Sequence, residues 1–225
     1  MAGGTDTGTG TDLKSATSAL IKAVRYAYSL QSFFCIDTRM GNAFVRVDSK
    51  TAVITPSGDK YGMGIKDVSV IDIKSGESKN GIKPSSETPM HTELLRRMPD
   101  VTAGIHMHGR FAPPLVKAMG ISSLDASDFA EADYYVGGGA SARFALAMGK
   151  SGSQDLADKV ASEFRRGAQV VIIGGADGEY HGSVATSSRA RRGEALMEAL
   201  HRLVDLEYMA QIKLIELYLT KGLER

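Results

Sequence analysis

A chain of 225 residues, 43% hydrophobic and 24% charged, has material for one sizeable core, and its formal charge of +1 argues against a surface built for nucleic acid. The single cysteine, Cys35, excludes an intrachain disulfide and fits a reducing cytoplasm. No apolar run is long enough to span a membrane, and the opening MAGGTDTGTGTD has neither the basic nor the apolar region of a secretory signal.

In chain order, residues 1–11, rich in Gly and Thr, read as a flexible tail ahead of a single domain over 12–225. Asp12 to Ser29 predicts a helix with Leu13, Ala16, Leu20, Ala23, Val24 and Ala27 on one face. FVRV (44–47) and TAVIT (51–55) read as strands around Asp48-Ser49-Lys50, followed by the turn TPSGDKYG. DVSVIDI (67–73) reads as a strand with Val68, Val70 and Asp72 on one face and Ser69, Ile71 and Ile73 on the other. PMHTELLRRM (89–98) predicts a helix capped by Thr88, with Pro89 at its first position and Pro99 stopping it. VTAGIHMH (101–108) is the next strand, and helices are expected over 113–119 and 153–166. QVVII (169–173) is an apolar strand, central or well covered. The last helix is predicted from Gly193 to Thr220, its stripe formed by Leu196, Leu200, Leu203, Met209, Ile212 and Ile215, with Gly222 placed to end it. Arg189, Arg191 and Arg192 read as its solvated start. Interspersed helices and strands with frequent hairpin turns define an α/β class with a mixed or largely antiparallel sheet rather than a Rossmann fold.

The VTAGIHMH strand carries His106 and His108 on one face with Thr102 and Gly104, while Val101, Ala103, Ile105 and Met107 take the other. Residues two apart on a strand face lie about 6.5–7 Å apart at the backbone. Their imidazoles can converge on one ion at about 2.0–2.1 Å each, which makes the pair candidate metal ligands. Gly104 is expected to leave room beside them. A bare HxH also occurs as two partly exposed histidines with no metal, so the surrounding pattern has to decide. Upstream, KPSSETPMH (83–91) holds two serines and Glu87 in a turn leading into a helix. MGNAFVRV (40–47) and ITPSG (54–58) offer backbone amides, Asn42, Thr55 and Ser57 to cradle an anion, and Gly58 permits an unusual turn. Arg110 can hold a carboxylate or phosphate bidentately, or equally pair with a surface acid. His201, mid-helix, reads as structural. Cupins and metal-dependent isopeptidases also use HxH, but the residues after the pair, GRFAPP, supply the carboxylate or proline pattern of neither.

The order of these pieces (GNxxVR, VITPSG, KPSSETPxH, then RxxPDVxAxxHxH) resembles the class II aldolase/adducin family over about residues 12–218, most specifically over 83–108. The resemblance implies a three-layer α/β/α domain around a largely antiparallel sheet, and a homo-oligomer, usually a tetramer with sites at subunit interfaces. It implies a divalent metal on three histidines, with zinc the leading expectation and manganese, cobalt or iron as alternatives. His106 and His108 match two of those ligands. Glu87 matches the family's acid/base or metal neighbour. Asn42, Thr55, Ser57, Gly58, Ser85 and Ser86 match its anion-binding groups, which implies a small anionic substrate. His91 reads as packing or as support for the ligands.

One departure stands out. Where the family carries its third histidine at the end of a late strand, this chain has Gly174-Gly175. Histidine returns at His181, which a hairpin over GAQVVIIGGADGEYHG (167–182) would bring beside the missing position; Asp177 and Glu179 are second choices. Family aldolases use tyrosines as proton donors, for which Tyr134 and Tyr135 are the local candidates. Three functions follow from the resemblance: a lyase of a small keto or phosphorylated sugar, a metal-dependent decarboxylase of a hydroxylated aromatic or heterocyclic acid, and an adducin-like scaffold with a degenerate site. In the two enzymes the metal would polarise an oxygen as a Lewis acid and a buried Glu87 would move a proton.

Overall fold

The structure is a computed structural model that describes residues 8–30, 41–58, 60, 62–119, 143–175 and 180–223. In chain order the elements are α1 (Gly8–Ser29), β1 (Asn42–Arg46), β2 (Thr51–Ile54), a short 3-10 turn (Ile65–Asp67), β3 (Ser69–Asp72), α2 (Thr88–Arg97) and β4 (Ala103–Met107). They continue with α3 (Ala112–Met119), β5 (Phe144–Met148), α4 (Gln154–Arg165), β6 (Val170–Gly174), β7 (Tyr180–Ser187) and α5 (Arg192–Leu223). The strands form one seven-stranded sheet in the order β3-β2-β1-β4-β7-β6-β5, in which every neighbouring pair is antiparallel except β5 with β6.

Both faces of the sheet are covered, which is why β4 and β6 are buried at every residue and β6 reads as an unbroken apolar run. One face packs against α1, α3 and α5 through Leu20, Val24, Ile105, Leu115, Ile172, Leu196 and Leu200. The other packs against α2 and α4 through Phe44, Ile71, Leu94, Leu156, Val160, Val171 and Val184. The architecture is therefore the α/β class expected, three layers of α/β/α around a largely antiparallel sheet.

Several local expectations are corrected. The first helix starts at Gly8, so residues 8–11 belong to its first turns rather than to the tail expected over 1–11. Thr88 is the first residue of α2, not its cap; Glu87 is the N-cap residue, and the Thr88 hydroxyl instead donates to the Ser85 carbonyl at 2.6 Å. The last helix runs through Gly222 to Leu223, and Ile215 is 52% exposed, while Ile212, Leu214 and Leu217 are the residues of that end that pack against the core. Arg192 is not simply solvated: it donates to the carbonyls of Arg46 (3.0 Å) and Val47 (2.6 Å) and pairs with Asp12, tying the start of α5 to β1 and α1.

Strand β5 was not foreseen. FALAM contains two alanines and no β-branched residue, so its intrinsic strand preference is weak. It forms because β6 pairs with it in parallel and α4 makes the crossover, burying Ala145 and Ala147 under Leu156 and Val160. Gly104 also serves a purpose other than the one expected. It lies opposite Phe44 in the β1–β4 register, and a Cβ there would meet the ring at 2.5 Å; the glycine accommodates the aromatic side chain, and the space beside it is filled. Gly104→Ala is expected to cost about 1–3 kcal/mol of stability by overpacking, with part of that recovered when Phe44→Leu is added. Chemical denaturation of the two single variants and the double variant checks it; additive losses would contradict the contact.

Candidate metal centre

The site is built where β4 ends beside β7. The antiparallel register pairs His106 with Val184 and Met107 with Ser183, which carries the HxH pair alongside the first residues of β7. On the other side of β7 the register slips: Ile173 faces Gly182 but Gly174 faces Tyr180. His181 is thus the extra residue of a bulge, a device that re-aims a side chain out of the regular alternation. The result is a triad in which ring centroids lie 5.0 Å apart for His106–His108, 5.5 Å for His106–His181 and 5.3 Å for His108–His181. One ring nitrogen from each lies within 4.8 Å of the others. Gly182 makes this possible, since a Cβ there would sit 2.7 Å from Cε1 of His106 and 2.5 Å from the Met107 carbonyl.

The ring states suit a cation. The Nδ1–H of His106 donates to the Ser183 carbonyl at 3.1 Å, which leaves Nε2 with a free lone pair. Burial pushes the His106 pKa well below the usual imidazole range, and the neighbouring His108, His181 and His91 push the same way. Nε2 of His181 is buried with no hydrogen-bond partner among the described residues. An unsatisfied buried nitrogen costs free energy, and a metal ion would remove that cost. The residues present fit a divalent ion held by three imidazoles, as zinc sites with an open position are.

Asn42, Thr55, His106 and His108 line one pocket, and Asn42 joins it to the helix that carries His91. Asn42 pairs with His106 across the sheet, and its Oδ1 accepts a short hydrogen bond from Nε2 of His91. His91 is fully buried, packs against Phe44 with ring centroids 5.0 Å apart and planes tilted by 53°, and is held neutral by burial, its pKa lowered to about 3. Glu87 sits one helical turn before His91, is 4% exposed, accepts a short hydrogen bond from the Ser151 hydroxyl at Oε1, and leaves Oε2 buried with no partner among the described residues. The Ser151 loop is held close because Gly152 adopts φ +72° and packs on the Ser86 carbonyl, which a Cβ would approach to 2.9 Å.

The two anion-binding turns, distant in sequence, are laced together. Ser57 N–H donates to the Lys83 carbonyl and Ser85 N–H to the Thr55 carbonyl, both at 3.1 Å. Thr55 and Ser85 are buried and accept internal bonds, from Ala43 N–H at 3.1 Å and Glu87 N–H at 3.3 Å respectively. Ser57, Gly58 and Ser86 are exposed, and Gly58 takes φ +92°. Arg110 is exposed past the His pair. Tyr134, Tyr135, Asp177 and Glu179 lie outside the described residues.

Sequence reasoning missed Ser151, Gly182 and Glu207. Ser151 and Gly182 carry no motif; only their partners give them a role. Glu207, on α5, is 5% exposed, and burial raises its pKa to about 7 against the opposing pull of backbone N–H donors from Phe111, Ala112 and Arg110.

A family model described as the class II aldolase and adducin N-terminal domain matches residues 20–214. The chain belongs to this family. Methylthioribulose-1-phosphate dehydratase of Sodalis glossinidius is 38% identical over 90 residues, 40% of this chain and 45% of the relative. The chain thus spans under half the length of that relative. A 3-oxo-tetronate 4-phosphate decarboxylase of Haemophilus influenzae is 25% identical over 76% of this chain and 75% of its own. Among solved structures, an L-fuculose 1-phosphate aldolase superposes with a TM-score of 0.69 at 26% identity, covering 91% of this chain and 87% of that one. Among the described residues no helix is long and apolar enough to cross a membrane.

The depressed His91 pKa has a testable sign. Unfolded, the imidazole titrates near its ordinary value of about 6.5; folded, it stays neutral to about 3, so the unfolded chain binds more protons between these values. Its contribution to stability is present above about pH 6.5 and is lost as pH falls toward 3. The stability advantage of the native chain over His91→Gln should shrink by about 1.4 kcal/mol per pH unit between pH 6 and 4, measured by urea unfolding. A pH-independent difference would show that His91 is not kept neutral.

Proposed function

We propose that the chain is a metal-dependent lyase acting on a small anionic keto substrate of the phosphorylated-sugar class, in the manner of an aldolase. The observation that carries this reading is the convergence of one ring nitrogen each from His106, His108 and His181 within 4.8 Å. The three histidines would hold the ion, with zinc favoured by an all-imidazole set and manganese, cobalt or iron as alternatives. When bound, a divalent ion supplies Lewis-acid polarisation of a substrate oxygen.

This chain's own residues supply the rest. Glu87, oriented through Oε1 by Ser151, presents Oε2 to move a proton at the reacting centre. The tied turns at 55–58 and 83–86 would offer a phosphate the exposed Ser57 and Ser86 hydroxyls, since the N–H groups of Ser57 and Ser85 are spent holding the turns together. Arg110 beyond the His pair provides a cation for the same anion or for a carboxylate. Tyr134 and Tyr135 remain the candidates for the opposite proton transfer, on family resemblance. A homo-oligomer, a tetramer by the same resemblance, and a cytoplasmic location belong to this reading.

A second reading is decarboxylation of a phosphorylated oxo acid. It is supported by the Haemophilus relative, which matches three quarters of both chains and is named for that chemistry, and it is preferred to an aromatic acid substrate on the same ground. The assembled triad weighs against an adducin-like scaffold.

Elemental mass spectrometry of the purified chain and of His181→Ala tests the centre. About one metal per chain is expected in the parent and a loss of metal in the variant. A parent that stays empty after reloading with zinc or manganese would overturn the enzyme reading. Glu87→Gln is expected to keep the metal and lose about 10²–10⁴-fold in turnover across a panel of phosphorylated keto sugars and oxo acids. With metal loaded, phosphoglycolate should raise the melting temperature more than benzoate-type acids do, and the reverse order would favour the aromatic decarboxylase.

A further inference from the structure

Helix α3 begins just after His108 with no capping residue of its own: Gly109, Arg110 and Phe111 precede it, where Ser, Thr, Asp or Asn would be usual. Its first donors are satisfied from far along the chain. The Glu207 carboxylate, on α5, accepts from Phe111 N–H at 2.7 Å through Oε2 and from Ala112 N–H at 3.2 Å through Oε1, and Arg110 N–H also reaches it. The approach is so close that a Cβ on Gly109 would fall on Oε1, well inside van der Waals contact. Any side chain at 109 would expel the carboxylate or the turn.

Burying a carboxylate is an expensive way to cap a helix, because a serine at the local cap position would satisfy a donor with far less desolvation. What a local cap could not do is anchor this turn to a second layer. The turn clamped by Glu207 is the one that leaves His108, and α5 is the longest helix packed on that face of the sheet, through Leu196, Leu200, Leu203 and Leu206. His106 is held from inside the strand by the Ser183 carbonyl, whereas His108 lies one residue past the end of β4, between the ladder and the turn that Glu207 holds.

We propose that Glu207 is a positioning residue for the metal centre: by clamping the Gly109–Ala112 turn to α5 it sets the direction from which His108 presents its imidazole. The inference rests on the metal reading above. Groups that orient metal ligands are typically worth 10–100-fold in metal affinity.

Zinc affinity measured by chelator competition tests it, on the native chain, Glu207→Gln, Gly109→Ala and the double variant. Each single variant is expected to bind zinc about 10–100-fold more weakly, and the double to lose no more than the worse single, because both changes release one clamp. The visible spectrum of the cobalt-loaded protein should shift in both variants, a change that general destabilisation would not produce. Glu198→Gln serves as control: it removes a carboxylate of the same helix that pairs with Ser187, Arg189 and Arg202, and its zinc affinity and cobalt spectrum should match the parent. If Glu207→Gln does not fold, Gly109→Ala carries the test alone. Native zinc affinity and spectrum in the folded variants, whatever their melting temperatures, would overturn the assignment while leaving the metal centre intact. Failure of the parent itself to bind zinc or cobalt would remove both.

Discussion

The register between β4 and β7 is the constraint on which the site depends. Shifting that pairing by one residue would move His106 to the opposite face of the sheet, into the layer of α1 and α5. With the register as it is, His106 shares a face with Val184, and a glycine two residues before it, Gly182, clears the space its ring needs. The bulge on the β6 side of the same strand then turns His181 toward the pair. A regular ladder and its one defect cooperate: the ladder fixes two histidines, and the defect delivers the third.

The neighbourhood is held by buried polar groups rather than by the apolar layers alone. His91 with Asn42, Ser151 with Glu87, and Glu207 with the α3 turn each join segments far apart in sequence. In a water-poor environment each pair is directional, and each partner left alone would be costly, so these contacts favour one arrangement over near alternatives. Arg46 works similarly outside the site, its guanidinium donating to the carbonyls of Val101, Leu95 and Met98, so that the end of α2 and the start of β4 are tied to β1.

The third ring of the triad comes from β7, not from the end of β6 where the family resemblance implies a histidine. At Gly174 a Cβ would sit 2.6 Å from Cε of Met148 and closer still to its Sδ, so a side chain at this position requires the end of Met148 to move aside. The antiparallel return of β7 places His181 within reach of the same point in space. Ligand convergence can thus be kept while the ligand's place in the chain changes, because a metal selects donor atoms and distances, not sequence order.

Much of this protein could be read before folding was considered. Apolar periodicity marks α1, α2, α4 and α5 and the strands around 44–54, 67–73, 101–108 and 169–173, since burial on a layered sheet demands those patterns. Alternation alone puts His106 and His108 on one face, and the order of motifs points to the family. Sequence could not supply β5, whose alanines have little strand preference until β6 and α4 cover them. It could not show that Gly104 makes way for Phe44, or that Gly182 is the glycine that serves the site. Nor could it join Ser151 to Glu87 or Glu207 to the turn after His108. Local patterns are set by what each residue prefers with its near neighbours. These pairings instead depend on which segments the sheet register and layer packing bring into contact, and that is decided only when the whole chain has closed on its core.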